Sequence, residues 1–296
     1  MVDKVAIIGS TGLVGSRVTE ILKEKYDIEE FNSSSGFDIT SQASVSKLSK
    51  SDSKVIILFA AKTNVEECED DKKEGQFGEA WIMNVEGVRN VVGVCRNQHK
   101  KLIYISTDFV FDGKKPIGET YTENDEPNPI NWYGQTKYEG EKIVKKELEG
   151  LEYIIARISY PYRGDDFGKK IDFVRGLLAV LRSGKDMKLI TDQTITPTYI
   201  DDIGYGLLKL VEVNKSETYH LVGESSLSPY EIVMKIRKKF PTNHGRLEKT
   251  TLKEYYQNLA PRPYNLAMNN DKIVSLGVKM KTFEEGLEEV KRQIQK

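Results

Sequence analysis

The sequence predicts an α/β protein: a doubly wound parallel sheet with a smaller, mainly helical lobe. Three observations carry that expectation. Short β-branched runs recur along the chain, each followed by apolar residues at helical spacing. The first run, residues 4–8, is continuous instead of alternating, as in strands covered on both faces. The length of 296 residues suits one large domain or two closely joined ones.

The first run is Lys4-Val5-Ala6-Ile7-Ile8, and Leu13, Val14, Val18, Ile21 and Leu22 fall on one face of the helix expected after it. A second strand over residues 28–32 completes a βαβ unit. Residues 54–59 form the third strand, and a long helix carrying Trp81, Val85, Val88, Val91 and Val92 leads to a fourth at residues 101–105. A helix over about 135–147 then feeds a fifth strand at residues 153–156, and right-handed crossovers make the sheet parallel. Beyond Tyr160-Pro161-Tyr162-Arg163-Gly164 the alternation loosens. Expected there are a helix over 171–181, a short strand near 188–190, a helix over 200–211 and a strand at 219–222 that returns to the sheet. The remainder is mainly helical, with Ser228-Pro229-Tyr230-Glu231 reading as an N-cap, a first-turn Pro and a capping-box Glu.

Composition excludes several function classes. Lys plus Arg total 44 against 45 Asp plus Glu, a formal charge of −1 that leaves no electrostatic footprint for nucleic acid. No apolar run approaches the roughly 18 residues that span a bilayer. The start, Met1-Val2-Asp3-Lys4, enters the first strand without a secretory leader, so a cytoplasmic protein is expected. Cys68 and Cys95 have no CxxC neighbour, and His99, His220 and His244 lie too far apart for a local motif such as HExxH. No metal is expected.

Chemistry enters at the first turn. Gly9-Ser10-Thr11-Gly12-Leu13-Val14-Gly15 stands between the first strand and its helix, where glycines let the backbone approach a pyrophosphate and the helix N-terminus offers free N–H groups. The spacing is GxxGxxG, in the strand-turn-helix context that dinucleotide binding requires. At the end of the second strand, Asn32-Ser33-Ser34-Ser35 offers no carboxylate for a ribose 2′-OH and no cation for a 2′-phosphate. An amide and hydroxyls can donate to a phosphate, with Arg17 near enough to help, so NADP is preferred and NAD is the alternative. Asp38-Ile39 follows at the place where an adenine is met. Residues 1–158 with about 196–222 thus form a Rossmann-type NAD(P)-binding domain, and residues 159–195 with 223–296 a substrate lobe.

Tyr133-Gly134-Gln135-Thr136-Lys137 sets a phenol and an ammonium four residues apart on one helical face. A phenol with a reference pKa of about 10 is a poor acid at neutral pH, and a cation one turn away favours its phenolate and draws it toward working range. Tyr133 is then placed to protonate a carbonyl, with Lys137 free to hold ribose hydroxyls. The fourth strand ends at Ser106-Thr107-Asp108, where ligands bind in open α/β sheets, and either Thr107 or Ser106 supplies a hydroxyl for the same carbonyl.

Glycine turn, strand-end hydroxyl and YxxxK in this order resemble the extended short-chain dehydrogenase/reductase superfamily. The block from Ser106 to Gly113, then Tyr121-Thr122-Glu123-Asn124-Asp125, and Pro127 to Lys137, is similar to the dTDP-4-dehydrorhamnose reductase family, RmlD-like, over nearly the whole chain. Residues 60–69, Ala156-Arg157-Ile158-Ser159-Tyr160 and Arg262-Pro263-Tyr264-Asn265-Leu266 support it. The resemblance implies Thr107, Tyr133 and Lys137 as the catalytic set. It implies that Gly12, Leu13, Val14, Asp38, Ile39, Ala60, Ala61, Lys62 and Thr63 line the cofactor, and that Asp108 and Tyr160 face the sugar. Arg262 is assigned to the substrate diphosphate, since its planar fork makes two bonds to phosphate; Arg163 is the second choice.

The implied activity is NAD(P)H-dependent reduction of a 4-keto nucleotide-activated deoxysugar, with a nucleotide-diphosphate sugar as partner, no nucleic acid, no membrane, and a homodimer through the helices near residues 80–98 and 135–148. Two alternatives stand beside it: a nucleotide-sugar 4-epimerase, and a non-enzymatic NADP-binding subunit resembling the regulatory β subunit of methionine adenosyltransferase. Tyr160 stands where the family implies Trp, and residues 194–203 look closer to generic nucleotide-sugar epimerases. A 4,6-dehydratase is disfavoured because Thr107 is followed by Asp108-Phe109 and not by an Asp-Glu pair.

Overall fold

The computed structural model describes residues 3–165, 171–243 and 245–294; Met1, Val2 and His244 lie outside them. Its strands are, in chain order, β1 (Lys4–Ile8), β2 (Asp27–Phe31), β3 (Val55–Leu58), β4 (Lys101–Thr107), β5 (Tyr153–Ile158), β6 (Pro161–Tyr162), β7 (Met187–Ile190), β8 (Thr198–Tyr199), β9 (Glu217–Leu221) and β10 (Leu247–Thr250). Six of them form one parallel sheet in the order β2-β1-β3-β4-β5-β9, as expected for a doubly wound α/β fold. The order reverses between β1 and β3, which opens a crevice beyond their carboxyl ends. Strand β7 does not join this sheet; it pairs with β10, and β6 with β8.

The helices used below are α1 (Leu13–Leu22), α2 (Gln42–Val45), α3 (Val65–Asp71), α4 (Glu79–Trp81), α5 (Gly87–Gln98), α6 (Trp132–Glu147), α7 (Phe173–Ser183), α8 (Ile200–Val211) and α9 (Pro229–Lys239). Side chains alternate along each strand. In β1, Val5 and Ile7 therefore pack with Val18, Leu22 and Leu207 on one face, while Ala6 and Ile8 pack with Val88, Val92 and Val144 on the other. A separate cluster holds α7, α9, β7 and β8 together through Leu178, Leu189, Tyr199 and Ile232. The expected capping box is present, with Ser228 and Glu231 bonding each other's backbone N–H. Among the described residues no helix is long and apolar enough to cross a membrane.

Two departures bear on the site. The long helix through Trp81 and Val85 is not continuous: α4 passes into a π-helical turn, Ile82–Glu86, before α5. Helix α6 starts at Trp132, earlier than periodicity suggests, because Asn131 caps it by accepting from Gly134 N at 2.8 Å. Beneath α6, Arg157 of β5 forks onto Glu141 at 2.9 and 2.7 Å with both side chains buried. Removing one partner would strand a buried charge at a cost of roughly 3–5 kcal/mol, so this pair fixes α6 against the sheet.

Candidate active site

A cleft of about 1080 Å³ runs across the carboxyl ends of β1, β3, β4 and β5, large for a single small ligand. One half is made of backbone. Gly9 has φ +89°, and its N–H donates to Phe31 O at 2.8 Å. A Cβ on Gly9 would lie 2.8 Å from Ala60 N, and one on Gly15 only 2.3 Å from Gly9 O, so the turn closes only with glycine at both places. Gly12 N-caps α1 without a side-chain bond, leaving the N–H groups of the first turn to the cleft. This cradle fits a pyrophosphate without a cation.

Of the expected cofactor residues, Gly9, Thr11, Gly12, Leu13, Val14, Asn32, Ser33, Asp38, Ile39, Ala60, Ala61 and Thr63 line the cleft, together with Tyr133 and Lys137. Two do not. Ser10 is buried behind the turn and accepts from Asn32 Nδ2 at 3.2 Å. Lys62 turns its ammonium to Glu67 and Glu79 at 2.6 and 3.0 Å, where two carboxylates satisfy it better than an apolar wall. Arg17 is likewise unavailable to a 2′-phosphate, since its fork holds Asp201 at 2.8 Å on both arms and it also reaches Glu20.

The other half is made of side chains. Thr107 ends β4, and its hydroxyl donates to Asp108 Oδ1 at 2.9 Å while accepting from Phe109 N at 3.3 Å. Ser159 donates to the other Asp108 oxygen at 2.7 Å. Burial raises the Asp108 carboxyl to about 6 against the pull of those two hydroxyls. Tyr133 sits in the first turn of α6, edge-on to Phe109 at 5.6 Å. Gly134 beside it is dictated by space: a Cβ there would lie 2.1 Å from Phe109 O. One turn on, Lys137 donates to Ile105 O at 2.8 Å, and burial pushes its ammonium down to about 7.

The phenol corrects one expectation. Desolvation holds Tyr133 above its ordinary value, with Thr107 lowering it and the nearby Asp108 charge raising it further. The structure thus keeps Tyr133 a protonated donor. Of the two candidate hydroxyls, Thr107 bonds Asp108 Oδ1 and Phe109 N at the strand end, whereas the Ser106 hydroxyl is buried without a partner among the described residues.

Tyr160 and Arg262 line the outer part of the cleft. Tyr160 has φ +38°, unusual for a bulky residue and held by Thr198 N donating to its carbonyl at 3.2 Å, with its ring edge-on to Phe173 at 5.3 Å. Arg262 stacks 4.7 Å from the Tyr256 ring, but its fork is already engaged, with Glu66 Oε1 at 2.6 Å and Ala260 O at 2.8 Å. Arg163 is spent elsewhere, on Asp165, Leu13 O and Ser16.

Sequence reasoning missed Asn84. Fully buried in the π-helical turn, it accepts from Lys62 N at 2.8 Å, donates to Lys62 O at 2.9 Å, and reaches Thr136 Oγ1 at 3.0 Å. It therefore ties the cofactor loop after β3 to α6. Its signal was a polar residue inside an otherwise apolar helical stripe, and π-turns of this kind concentrate at functional sites.

Residues 3–296 match the family described as the RmlD substrate binding domain. The probable low-salt glycan biosynthesis reductase Agl14 of Haloferax volcanii is 31% identical over 243 residues, 78% of each chain. The dTDP-4-dehydrorhamnose reductase of Aggregatibacter actinomycetemcomitans is 27% identical over 303 residues, 97% of this chain and 98% of its own. Among solved structures, dTDP-4-dehydrorhamnose reductase from Bacillus anthracis in complex with NADP superposes with a TM-score of 0.86 at 30% identity, covering 99% of this chain and all of that one.

Proposed function

The chain belongs to the RmlD substrate binding domain family, and we propose from that membership and its cleft that it reduces the 4-keto group of a nucleotide-activated deoxysugar, dTDP-4-dehydrorhamnose being the first substrate to test. It is an NAD(P)-dependent oxidoreductase. NADP is the preferred cofactor because the β2 end offers hydroxyls and an amide and no carboxylate, and NAD is the second. The observation that carries the reading is the meeting of Thr107, Tyr133 and Lys137 in one cleft with the glycine cradle.

When bound, the dinucleotide supplies the reducing equivalent. Glycine-turn amides would hold its pyrophosphate, and the loop after β3 that Asn84 braces would contribute to the wall of the same cleft. Tyr133, kept protonated by burial, donates its proton to the carbonyl oxygen as the carbon is reduced. Thr107, beside the phenol in the same cleft, orients the same oxygen. The Lys137 ammonium holds the ribose hydroxyls and stabilises the phenolate left behind. Asp108 and Tyr160 bound the sugar, and Arg262 meets the diphosphate after exchanging Glu66 for phosphate oxygens. The cluster around Leu178 and Ile232 serves as the core of the sugar lobe.

A non-catalytic subunit has less support since the proton-donor set is complete, and an epimerase has less because two relatives matched over nearly the whole chain are reductases. Tyr133→Phe should abolish NADPH oxidation by dTDP-4-dehydrorhamnose, a loss of about 10²–10⁴-fold, with NADPH binding retained. Turnover surviving in that variant would refute the assignment. A cytoplasmic homodimer paired through α5 and α6 completes the reading, to be checked by sedimentation.

A further inference from the structure

Lys137 is an ammonium with 3% of its surface exposed, and its hydrogen-bonding partner from the protein is one carbonyl, Ile105 O. Glu141, one turn along α6, favours the ammonium through its charge but makes no hydrogen bond to it, since Arg157 holds both carboxylate oxygens. What Lys137 does face is the ring of Tyr104, with Nζ 4.1 Å from the centroid. An aromatic face is negative, and its attraction for a cation grows when both are desolvated.

Tyr104 is fixed for that task. It is wholly buried in β4, and its hydroxyl lies 3.4 Å from Lys137 O. A Cβ on Gly140 would stand 2.5 Å from that hydroxyl, so α6 admits the phenol only because residue 140 has no side chain. Strand ring, helix glycine and lysine are one packed unit.

We propose that Tyr104 is a positioning residue for the reaction: its ring face holds the Lys137 ammonium charged and in place, where the ribose hydroxyls and Tyr133 meet it. This rests on the catalytic reading of Lys137 above. The titratable groups facing Lys137 are Glu141 and Tyr133 on α6 and Tyr104 on β4. Glu141 is paired with Arg157 yet still favours the Lys137 ammonium, and burial keeps both phenols protonated. Asp108, beyond Thr107, titrates lower, at about 6. Lys137 is thus the group expected to titrate at about 7.

The test places phenylalanine and pentafluorophenylalanine at position 104 of the full chain; ring fluorination removes the negative face with little change of shape. NADPH affinity against pH is read by fluorescence, beside the pH profile of kcat/KM. Tyr104→Phe should keep both. The fluorinated variant should bind NADPH roughly tenfold more weakly at about pH 8, with its alkaline midpoint about one unit lower. A fluorinated variant matching Tyr104→Phe would reduce Tyr104 to packing and overturn the proposal; so would a Tyr104→Phe variant that already shows the loss. Wild-type chain that binds NADPH but reduces no ketosugar would sink the functional reading while the binding arm still judged Tyr104.

Discussion

The two halves of the cleft are built from different materials. On the cofactor side, recognition is done by backbone: a left-handed Gly9, a helix start capped by Gly12, and Gly15 packed on Gly9 O. On the sugar side it is done by side chains, and those side chains hold one another: Arg262 with Glu66, Thr107 and Ser159 with Asp108. A backbone cradle tolerates almost no change at its glycines, whereas a network of paired side chains can exchange partners with a ligand. The cofactor side should therefore be brittle and the sugar side adjustable.

The largest effect expected from that contrast is at Gly15. A methyl group there meets Gly9 O at 2.3 Å, and the neighbour is backbone that cannot swing away. Gly15→Ala should lower NADPH affinity at least 100-fold and cost about 1–3 kcal/mol of stability, read by fluorescence titration and by thermal melting. Gly12→Ala is the control. Its Cβ would make an ordinary 3.4 Å contact, so it should weaken the cofactor with little loss of stability. Near-normal binding by Gly15→Ala would break the contrast at its strongest point.

The same difference decided what could be read from the sequence. The cofactor cradle lies within seven consecutive residues, and its spacing announces a turn, a helix start and an anion site together. The YxxxK pair and the hydroxyl at the end of β4 were legible because helical and strand periodicity place them. Arg262, by contrast, meets Glu66 across 196 residues of chain, and nothing local says that the fork is already filled. Lys62 was assigned to the cofactor by resemblance, but its ammonium pairs with Glu67 and Glu79. Asn84 and Tyr104 act through neighbours on other elements, so no spacing rule marks them. Even the phenol of Tyr133 went the other way from expectation, because enclosure is a property of the fold and not of a motif.

A middle-sized effect is expected at Asp108, where the adjustable side carries a strained charge. The folded carboxyl is raised to about 6 from an ordinary 3.8, chiefly by burial, so the native state binds the extra proton between those values. Stability is then full below about pH 4 and falls as pH rises through about 6, a loss of roughly 2–3 kcal/mol. Asp108→Asn removes that titration while preserving a donor and an acceptor for Thr107 and Ser159. Relative to wild type, its melting temperature should rise progressively from pH 4 to 6 and stay higher above. Parallel melting curves for the two proteins across that window would mean that Asp108 is not carried as a strained carboxylate.

The smallest effect sits at the mouth of the cleft and separates two meanings of the Arg262–Glu66 pair. Glu66 also accepts from Ala260 N at 2.9 Å, so one carboxylate fastens both the guanidinium and the backbone before it to α3. If the pair merely stores Arg262, an incoming diphosphate must displace Glu66, and the exchange costs what a partly exposed ion pair is worth, about 0.2–1 kcal/mol. Glu66→Gln keeps an acceptor for Ala260 but removes the competing charge. The KM for the nucleotide sugar should then fall about two- to fivefold with kcat unchanged, and the advantage should shrink at high salt. A rise in KM would reverse the meaning: Glu66 would be aiming Arg262 at the substrate, and the sugar side would be as preset as the glycine cradle facing it.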